Sequence, residues 1–476
     1  MSDRFRWADA TEQARAVRDG EVTPGELVEA AIARLERDGV ELNVLASDRF
    51  DRARAEAAGP LPDGPFRGVP LLLKDLGSAS AGDPHHMGSF LLKDLGNVEL
   101  HDASLTTRLR QAGFVVLGRT NTPEFGIRSI TESVAYGTTP NPWNSEHTTG
   151  GSSGASAAAV AAGLVPIAEG SDGAGSLRMP AMQCGVAAIK PSRGRISESP
   201  DGEIMSGHNV YGACARTVRD LAGFLDAAAG MEPGDPTVAP PPARPFASEI
   251  GVDPGRLRVG FADLETVGGV PIHEECRRAV REIAAALEGL GHDVAPEFPA
   301  AYDDPEYLEH FIDAIAPGVT GMLRFFGSLI GRPVEESDVE PSTWYWYERG
   351  LRRDAGDLAG DLAWLDAFRR RFAAWWSAGF DLLVAPAFPM PAPRLDSFSE
   401  GGERTRALID LIRATAPVNT AGQPALAVPA GFTSDGLPVG AQLVAAYGRE
   451  DVLFRTGSQL EDAVGWREWK PPAYAG

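Results

Sequence analysis

Gly150-Gly151-Ser152-Ser153-Gly154-Ala155-Ser156-Ala157-Ala158-Ala159-Val160-Ala161-Ala162 runs from a glycine–serine loop straight into alanine-rich sequence. Alanine has the best helix propensity, and a helix carrying so little side chain can lie close against a neighbour. The pattern predicts a helix over 153–162. A short strand over 164–168 then leads into a second small-residue turn, Gly170-Ser171-Asp172-Gly173-Ala174-Gly175-Ser176. Outward from this pair of turns, strand and helix signals alternate. Residues 69–73 are an apolar run that reads as a buried strand ending at Lys74. Residues 104–111 read as a helix and 114–117 as a strand. Upstream, Thr23-Pro24-Gly25-Glu26 is a helix start with a capping box, and that helix ends near Gly39. Downstream, strands are expected at 257–261, 382–384, 425–428 and 439–444, the last two joined through the turn signal Asp435-Gly436. A helix is expected from Glu274 to Leu290. This alternation points to an α/β architecture with a largely parallel or mixed sheet.

Two segments interrupt the pattern. Residues 232–254 are rich in Pro, Gly and Ala around Pro240-Pro241-Pro242, and read as a surface excursion inside one domain. Residues 335–380 are dense in aromatics. Trp364, Phe368 and Phe372 recur every four residues, which is one face of a helix packed into the core. Trp344-Tyr345-Trp346-Tyr347 alternates instead, with rings that suit either packing or a pocket mouth.

The chain has 476 residues, 43% hydrophobic and 23% charged, the balance of a globular protein and not of a disordered or membrane-embedded one. Its net charge of -22 argues against nucleic acid and anionic membranes as partners, because both reward positive charge. The three cysteines form no Cys-x-x-Cys pair, and the eight histidines show no metal-ligand spacing. The start, Met1-Ser2-Asp3-Arg4-Phe5-Arg6-Trp7, has no apolar signal core, and no run reaches transmembrane length. The expectation is a cytoplasmic protein with no metal and no cofactor. Its assembly is open, a homodimer included.

The two small-residue turns and the lysine carry the candidate chemistry. A serine hydroxyl needs an adjacent base to act as a nucleophile. A lysine can be that base once desolvation favours its neutral amine. Only four lysines exist, Lys74, Lys93, Lys190 and Lys470, and Lys74 alone directly follows a strand-like apolar run. Lys93, after Phe90-Leu91-Leu92, is a weaker version of the same pattern. Gly150-Gly151-Ser152-Ser153-Gly154 also satisfies the G-x-S-x-G nucleophile elbow literally. That elbow needs a preceding strand and a late histidine. Residues 139–149 have loop composition instead, and the last histidine is His310. A Walker loop would need Gly-Lys-Ser/Thr, which is absent.

The residues then resemble a known family, the amidase-signature enzymes. The likeness rests on Gly68-Val69-Pro70 with Lys74-Asp75, Asn121-Thr122-Pro123-Glu124-Phe125, Asn141-Pro142-Trp143 and Gly150 to Gly154. It continues through Asp172-Gly173-Ala174-Gly175-Ser176-Leu177-Arg178, Lys190-Pro191-Ser192-Arg193-Gly194, Asn419 to Pro424 and Leu437-Pro438-Val439-Gly440. It spans nearly the whole chain and is weakest over about 232–380. Within the family, Lys190 to Ser197, Leu329 to Pro333 and Ser434 to Asp451 look most like the 6-aminohexanoate cyclic-dimer hydrolase branch, with aryl-acylamidases nearby.

The resemblance implies a single α/β/α domain over 1–476, built on a large mixed, twisted sheet of about eleven strands, with 255–380 a variable substrate-side region. It implies an amidase acting on a small-molecule amide through an acyl-enzyme. Ser176 would be the nucleophile, Ser152 the bridging serine after a non-proline cis peptide, and Lys74 the base. Backbone N–H groups of Gly173, Ala174, Gly175 and Ser176 would form the oxyanion hole. Gly126, Ile127 and Ser152 would border the acyl pocket, leaving it open and apolar for neutral aliphatic, cyclic or aryl amides. The chain departs from the commonest pattern at Ala174 and Ala155, where glycine is usual, and Ala174 sits beside the oxyanion loop. Two other readings are weighed: the amidase subunit of a tRNA-dependent amidotransferase, and an inactive binding module on the same fold.

Overall fold

Pro70-Leu71-Leu72-Leu73-Lys74 offers no polar side chain to either face before its last residue, so it suits a strand covered on both sides. A computed structural model of the protein describes residues 4–202, 205–395, 397–398 and 402–475. Met1 to Asp3, part of the chain start considered above, lie outside the described residues. The central feature is one sheet of 11 strands. In chain order these are β1 Leu45–Asp48, β2 Pro70–Lys74, β3 Val115–Thr120, β4 Ile167–Ser171, β5 Ala187–Lys190 and β6 Tyr211–Ala215. They continue as β7 Arg258–Phe261, β8 Asp293–Ala295, β9 Leu382–Pro386, β10 Ala425–Phe432 and β11 Pro438–Ala445. Their spatial order is β1-β3-β2-β4-β6-β5-β10-β11-β9-β7-β8. β2 runs parallel to both β3 and β4, and β7 parallel to β8 and β9, while the remaining pairs are antiparallel. The sheet is mixed, as expected.

Helices cover both faces. The helix α1 Pro24–Arg34 starts with the capping box: Thr23 Oγ1 accepts from Glu26 N, and Glu26 accepts from Thr23 N. The alanine-rich helix α2 spans Gly154–Ala161 with all eight residues buried. It packs on β4, β6 and the short helix α3, Arg178–Cys184. Of three further helices, α4 Tyr307–Ile330 packs against both α5 Pro341–Leu351 and α6 Ala355–Ala373.

Two sequence expectations change. The strand read at 164–168 lies at Ile167–Ser171, because residues 162–166 first turn the chain at Gly163 (φ 67°) before it enters the sheet. Residues 139–149 are not all loop: Pro140–Asn141 and Asn144–Thr148 pair as a small antiparallel ribbon. Trp344-Tyr345-Trp346-Tyr347, for which the sequence left packing and a pocket mouth open, is helical within α5 and packs against α4. The Trp344 and Tyr347 rings meet at 4.9 Å, tilted by 39°, and join an apolar cluster with Phe125 and Phe326. The α6 face is core as read: Phe368 and Phe372 are fully buried. In the 232–254 stretch, Phe246 is buried against the main core and most other residues are exposed.

The close approach of α2 to the sheet leaves no room for larger side chains. Replacing the fully buried Ala158 by leucine is expected to destabilise the protein by about 1–3 kcal/mol through overpacking. The check is a lower urea midpoint with an unchanged slope.

Candidate active site

Lys74 ends β2, and Ser171 ends β4, its parallel neighbour, so the register Leu72 to Ala168 brings both to the same edge of the sheet. Carboxyl ends of parallel strands are where α/β sheets build sites. The side chain of Lys74 is fully buried. Its Nζ donates to Ser152 Oγ at 2.6 Å and to Ser171 Oγ at 3.1 Å. Burial pulls the amine down to about 7, against the opposing pull of the Glu169 and Asp172 carboxylates. Glu169 directs Oε2 to the backbone N–H of Lys74 at 2.8 Å, and burial pushes its own carboxyl upward. Lys93 is elsewhere: it is exposed, and its Nζ donates to the carbonyl of Ala135 over the ring of Tyr136. Of the two lysines left open by the sequence, Lys74 alone reaches a serine of the glycine–serine loop.

Ser152 is buried and follows a cis peptide bond with Gly151. Thr122 Oγ1 donates to its carbonyl at 3.0 Å. The next residue joins the two small-residue turns: Ser153 N donates to Ser176 O at 3.0 Å, and Ser153 Oγ to Ser171 O at 3.1 Å. Ser176, unlike Lys74 and Ser152, is partly exposed. The elbow reading fails on geometry as well as composition, since the partner of Ser152 is a lysine and not a histidine.

Asp172 organises the turn that carries Ser176. Its Oδ1 accepts from Gly175 N at 2.7 Å and its Oδ2 from Leu177 N at 3.2 Å. Arg178 grips it through Nε at 3.0 Å and Nη2 at 2.9 Å. Asn419 Nδ2 adds bonds to Asp172 O at 2.7 Å and Oδ1 at 3.0 Å. Desolvation would raise this carboxyl, but the Arg178 guanidinium holds it well below the usual range. The N–H of Gly175 is therefore engaged, which removes it from the four oxyanion donors expected. Among the described residues no hydrogen bond takes the N–H groups of Gly173, Ala174 or Ser176. Gly175 is required by conformation, with φ at 127° and a Cβ position only 2.2 Å from Thr415 Oγ1. Ala174 has no positive φ, so its methyl costs no backbone strain.

On the other side of Ser152, Gly126 lies so close that a Cβ there would sit 3.2 Å from Ser152 Oγ and 2.5 Å from Leu76 Cδ2. Ile127 and Met205 pack against the same apolar cluster as Ala174, together with Phe311, Ile315 and Val319 of α4. The structure thus brings Lys74, Ser152, Gly126 and the Ser176 turn together. Sequence reasoning gave no role to Ser171, Asp172, Arg178 or Asn419. Asp172 and Arg178, flanking a glycine turn six residues apart, were the signal for a clamp.

The fold and this lysine–serine constellation define an amide hydrolase of the amidase-signature class. The family model described as Amidase matches residues 26–454, and the chain belongs to that family. It is 42% identical to 6-aminohexanoate-cyclic-dimer hydrolase of Pseudomonas sp. (strain NK87), covering 99% of this chain and 98% of that one. A solved structure of a 6-aminohexanoate cyclic dimer hydrolase complexed with substrate superposes with a TM-score of 0.94 at 41% identity, over 99% of this chain and 100% of that one. A bacterial aryl acylamidase of the amidase-signature family matches with a TM-score of 0.88 at 26% identity, over 99% of both chains. Among the described residues no helix is long and apolar enough to cross a membrane.

Asp172→Asn should destabilise the protein by about 3–5 kcal/mol, because it leaves the fully buried Arg178 without its counter-charge. Since the carboxyl of Asp172 is depressed in the folded state, its contribution is complete above the unfolded value near 3.9 and is lost only as pH falls below it. The urea stability difference between wild type and variant should therefore be constant from pH 5 to 8 and shrink in acid.

Proposed function

We propose that Ser176 is the acyl nucleophile, Ser152 the proton bridge and Lys74 the terminal base. The observation that carries this reading is the 2.6 Å contact of a fully buried Lys74 Nζ with Ser152 Oγ, beside a partly exposed Ser176. A depressed lysine presents a neutral amine near neutral pH, and its lone pair takes the Ser152 proton as Ser152 takes that of Ser176. Ser176 Oγ attacks the amide carbonyl. The N–H groups of Gly173, Ala174 and Ser176 are free to face the developing oxyanion, a contribution of about 2.7–4 kcal/mol per donor. Collapse expels the amine with the proton returned through Ser152, and water then hydrolyses the acyl-enzyme by the same relay.

For the substrate we propose neutral, largely apolar amides, cyclic or aryl. Ile127, Met205 and Ala174 share one apolar wall and offer no charge, and the net charge of -22 adds no attraction for anions. The relatives named for 6-aminohexanoate cyclic dimer and for aryl acylamides support the same class. A cytoplasmic setting fits the three cysteines, all buried and unpaired.

Ser176→Ala should abolish both hydrolysis and fluorophosphonate labelling, and peptide mass spectrometry of the labelled wild type should place the adduct on Ser176. An adduct on Ser152 would overturn the assignment.

In the free enzyme kcat/KM should rise with pH and level off near the Lys74 value of about 7, because the ammonium form below it has no lone pair. Lys74→Ala should lower the rate by roughly 10²–10⁴ and remove this acid limb. An acid limb that survives in Lys74→Ala but vanishes in Lys93→Ala would assign the base to Lys93.

A further inference from the structure

Glu124 is an acidic side chain with 1% exposure and no part in the relay. It accepts three hydrogen bonds from two segments remote in sequence. Ser89 Oγ donates to Oε1 at 2.9 Å. Glu340 N and Thr343 Oγ1 donate to Oε2 at 2.7 and 2.5 Å. The last two donors form the N-terminus of α5, whose own N-cap residue, Glu340, makes no side-chain cap. The first N–H groups of a helix have no partner within it. Here a carboxylate from another segment supplies one, at the helix end where negative charge is favoured. Burial pushes the Glu124 carboxyl up to about 7, against the pull of the Thr343 and Glu340 donors.

The same helix end holds the rest of the loop. The Glu340 side chain accepts from Val134 N at 2.7 Å and pairs with Arg128 at 3.0 Å. The segment between these anchors contains Gly126, which lies against Ser152 Oγ, and Ile127, which bridges the apolar cluster around Ala174 and the one around Phe125 and Phe326. Phe125 adopts φ 52° and stacks on Phe326 of α4 at 5.5 Å. Its N–H donates to Met87 O at 2.7 Å, while Asp75, next to Lys74, accepts from His86 N and Gly88 N at 3.0 Å. Glu124 is thus the point where the α4–α5 pair is tied to the wall of the reacting groups.

We propose that Glu124 is a positioning residue: by capping α5 it sets how far Gly126 and Ile127 stand from Ser152, and so fixes the width of the acyl pocket and the discrimination between wide and narrow amides. The proposal rests on the Ser176 acyl-enzyme reading. Loosening the cap lets the wall shift into or away from the pocket, which a bulky acyl group feels and a small one tolerates.

The test uses the full chain with Glu124→Gln, Thr343→Val and Thr343→Ser, two fluorophosphonates differing only in a methyl or a biphenyl substituent, and peptide mapping of the adduct. Labelling is measured well below each variant's melting temperature. Glu124→Gln and Thr343→Val are expected to change the bulky-to-small ratio of second-order labelling rates at least tenfold, while the small probe alone changes less than threefold. Thr343→Ser, which keeps the hydroxyl donor, should bring the ratio back to within twofold of wild type. Equal losses on both probes, or a constant ratio in both variants, would sink the proposal. Where Glu124→Gln does not fold, Thr343→Val, which removes one hydroxyl from an otherwise similar shape, decides alone. Wild type labelled somewhere other than Ser176 would refute the underlying mechanism and not the positioning role by itself, and the peptide map tells the two failures apart.

Discussion

A lysine amine can draw a proton from a serine only after it has lost its hydration, and the setting of Lys74 follows from that constraint. The residue ends a strand buried on both faces, and its side chain is enclosed between β2, β4 and the glycine–serine loop. Glu169, the carboxyl that most opposes this desolvation, accepts the Lys74 peptide N–H. A carboxylate paired directly with Nζ would hold the ammonium form, whereas one committed to the backbone leaves desolvation dominant. In the mechanism proposed here, everything downstream depends on that balance, since Ser152 and Ser176 have no other base within the constellation.

The second constraint is rigidity of the Ser176 turn. Glycine-rich backbone is entropically costly to order, so a turn that leaves N–H groups unbonded needs external fixation. Asp172, Arg178 and Asn419 provide it from three directions in a fully buried cluster. The clamp engages Gly175 N–H and leaves the N–H groups on either side of it unengaged. Ser153 then ties this turn to the Ser152 loop by a backbone bond, so the two serines are placed by one network and not by two independent loops.

Much of the sheet was legible because buried strands announce themselves as short apolar runs. Residues 70–73 of the first apolar run, and all of 382–384 and 439–444, fall within strands, as Pro70–Lys74, Leu382–Pro386 and Pro438–Ala445. Leu164 to Ala168 is more apolar than the strand itself, Ile167–Ser171, which ends in Glu169, Gly170 and Ser171, so composition placed the strand too early after the turn at Gly163. For Trp344 to Tyr347 the sequence left packing and a pocket mouth open, because the rings alternate in size and not in polarity; in the fold they lie in α5 against α4. Asp172 and Arg178 were visible as a motif, but their role depended on Asn419, some 240 residues away.

By itself the sequence determined the chemistry available: two serines in small-residue turns, very few lysines, and a family pattern running along nearly the whole chain. These are local properties, carried by residue type and spacing. The tertiary structure decided which lysine meets Ser152, which N–H groups of the turn stay free, and that Glu124 caps a helix beginning more than 200 residues later. Those facts depend on strand register and on the packing of α5 against α4 and the Glu124 segment. No one-dimensional pattern encodes them, because the partners of a buried polar group are chosen by the packing that excludes water from it.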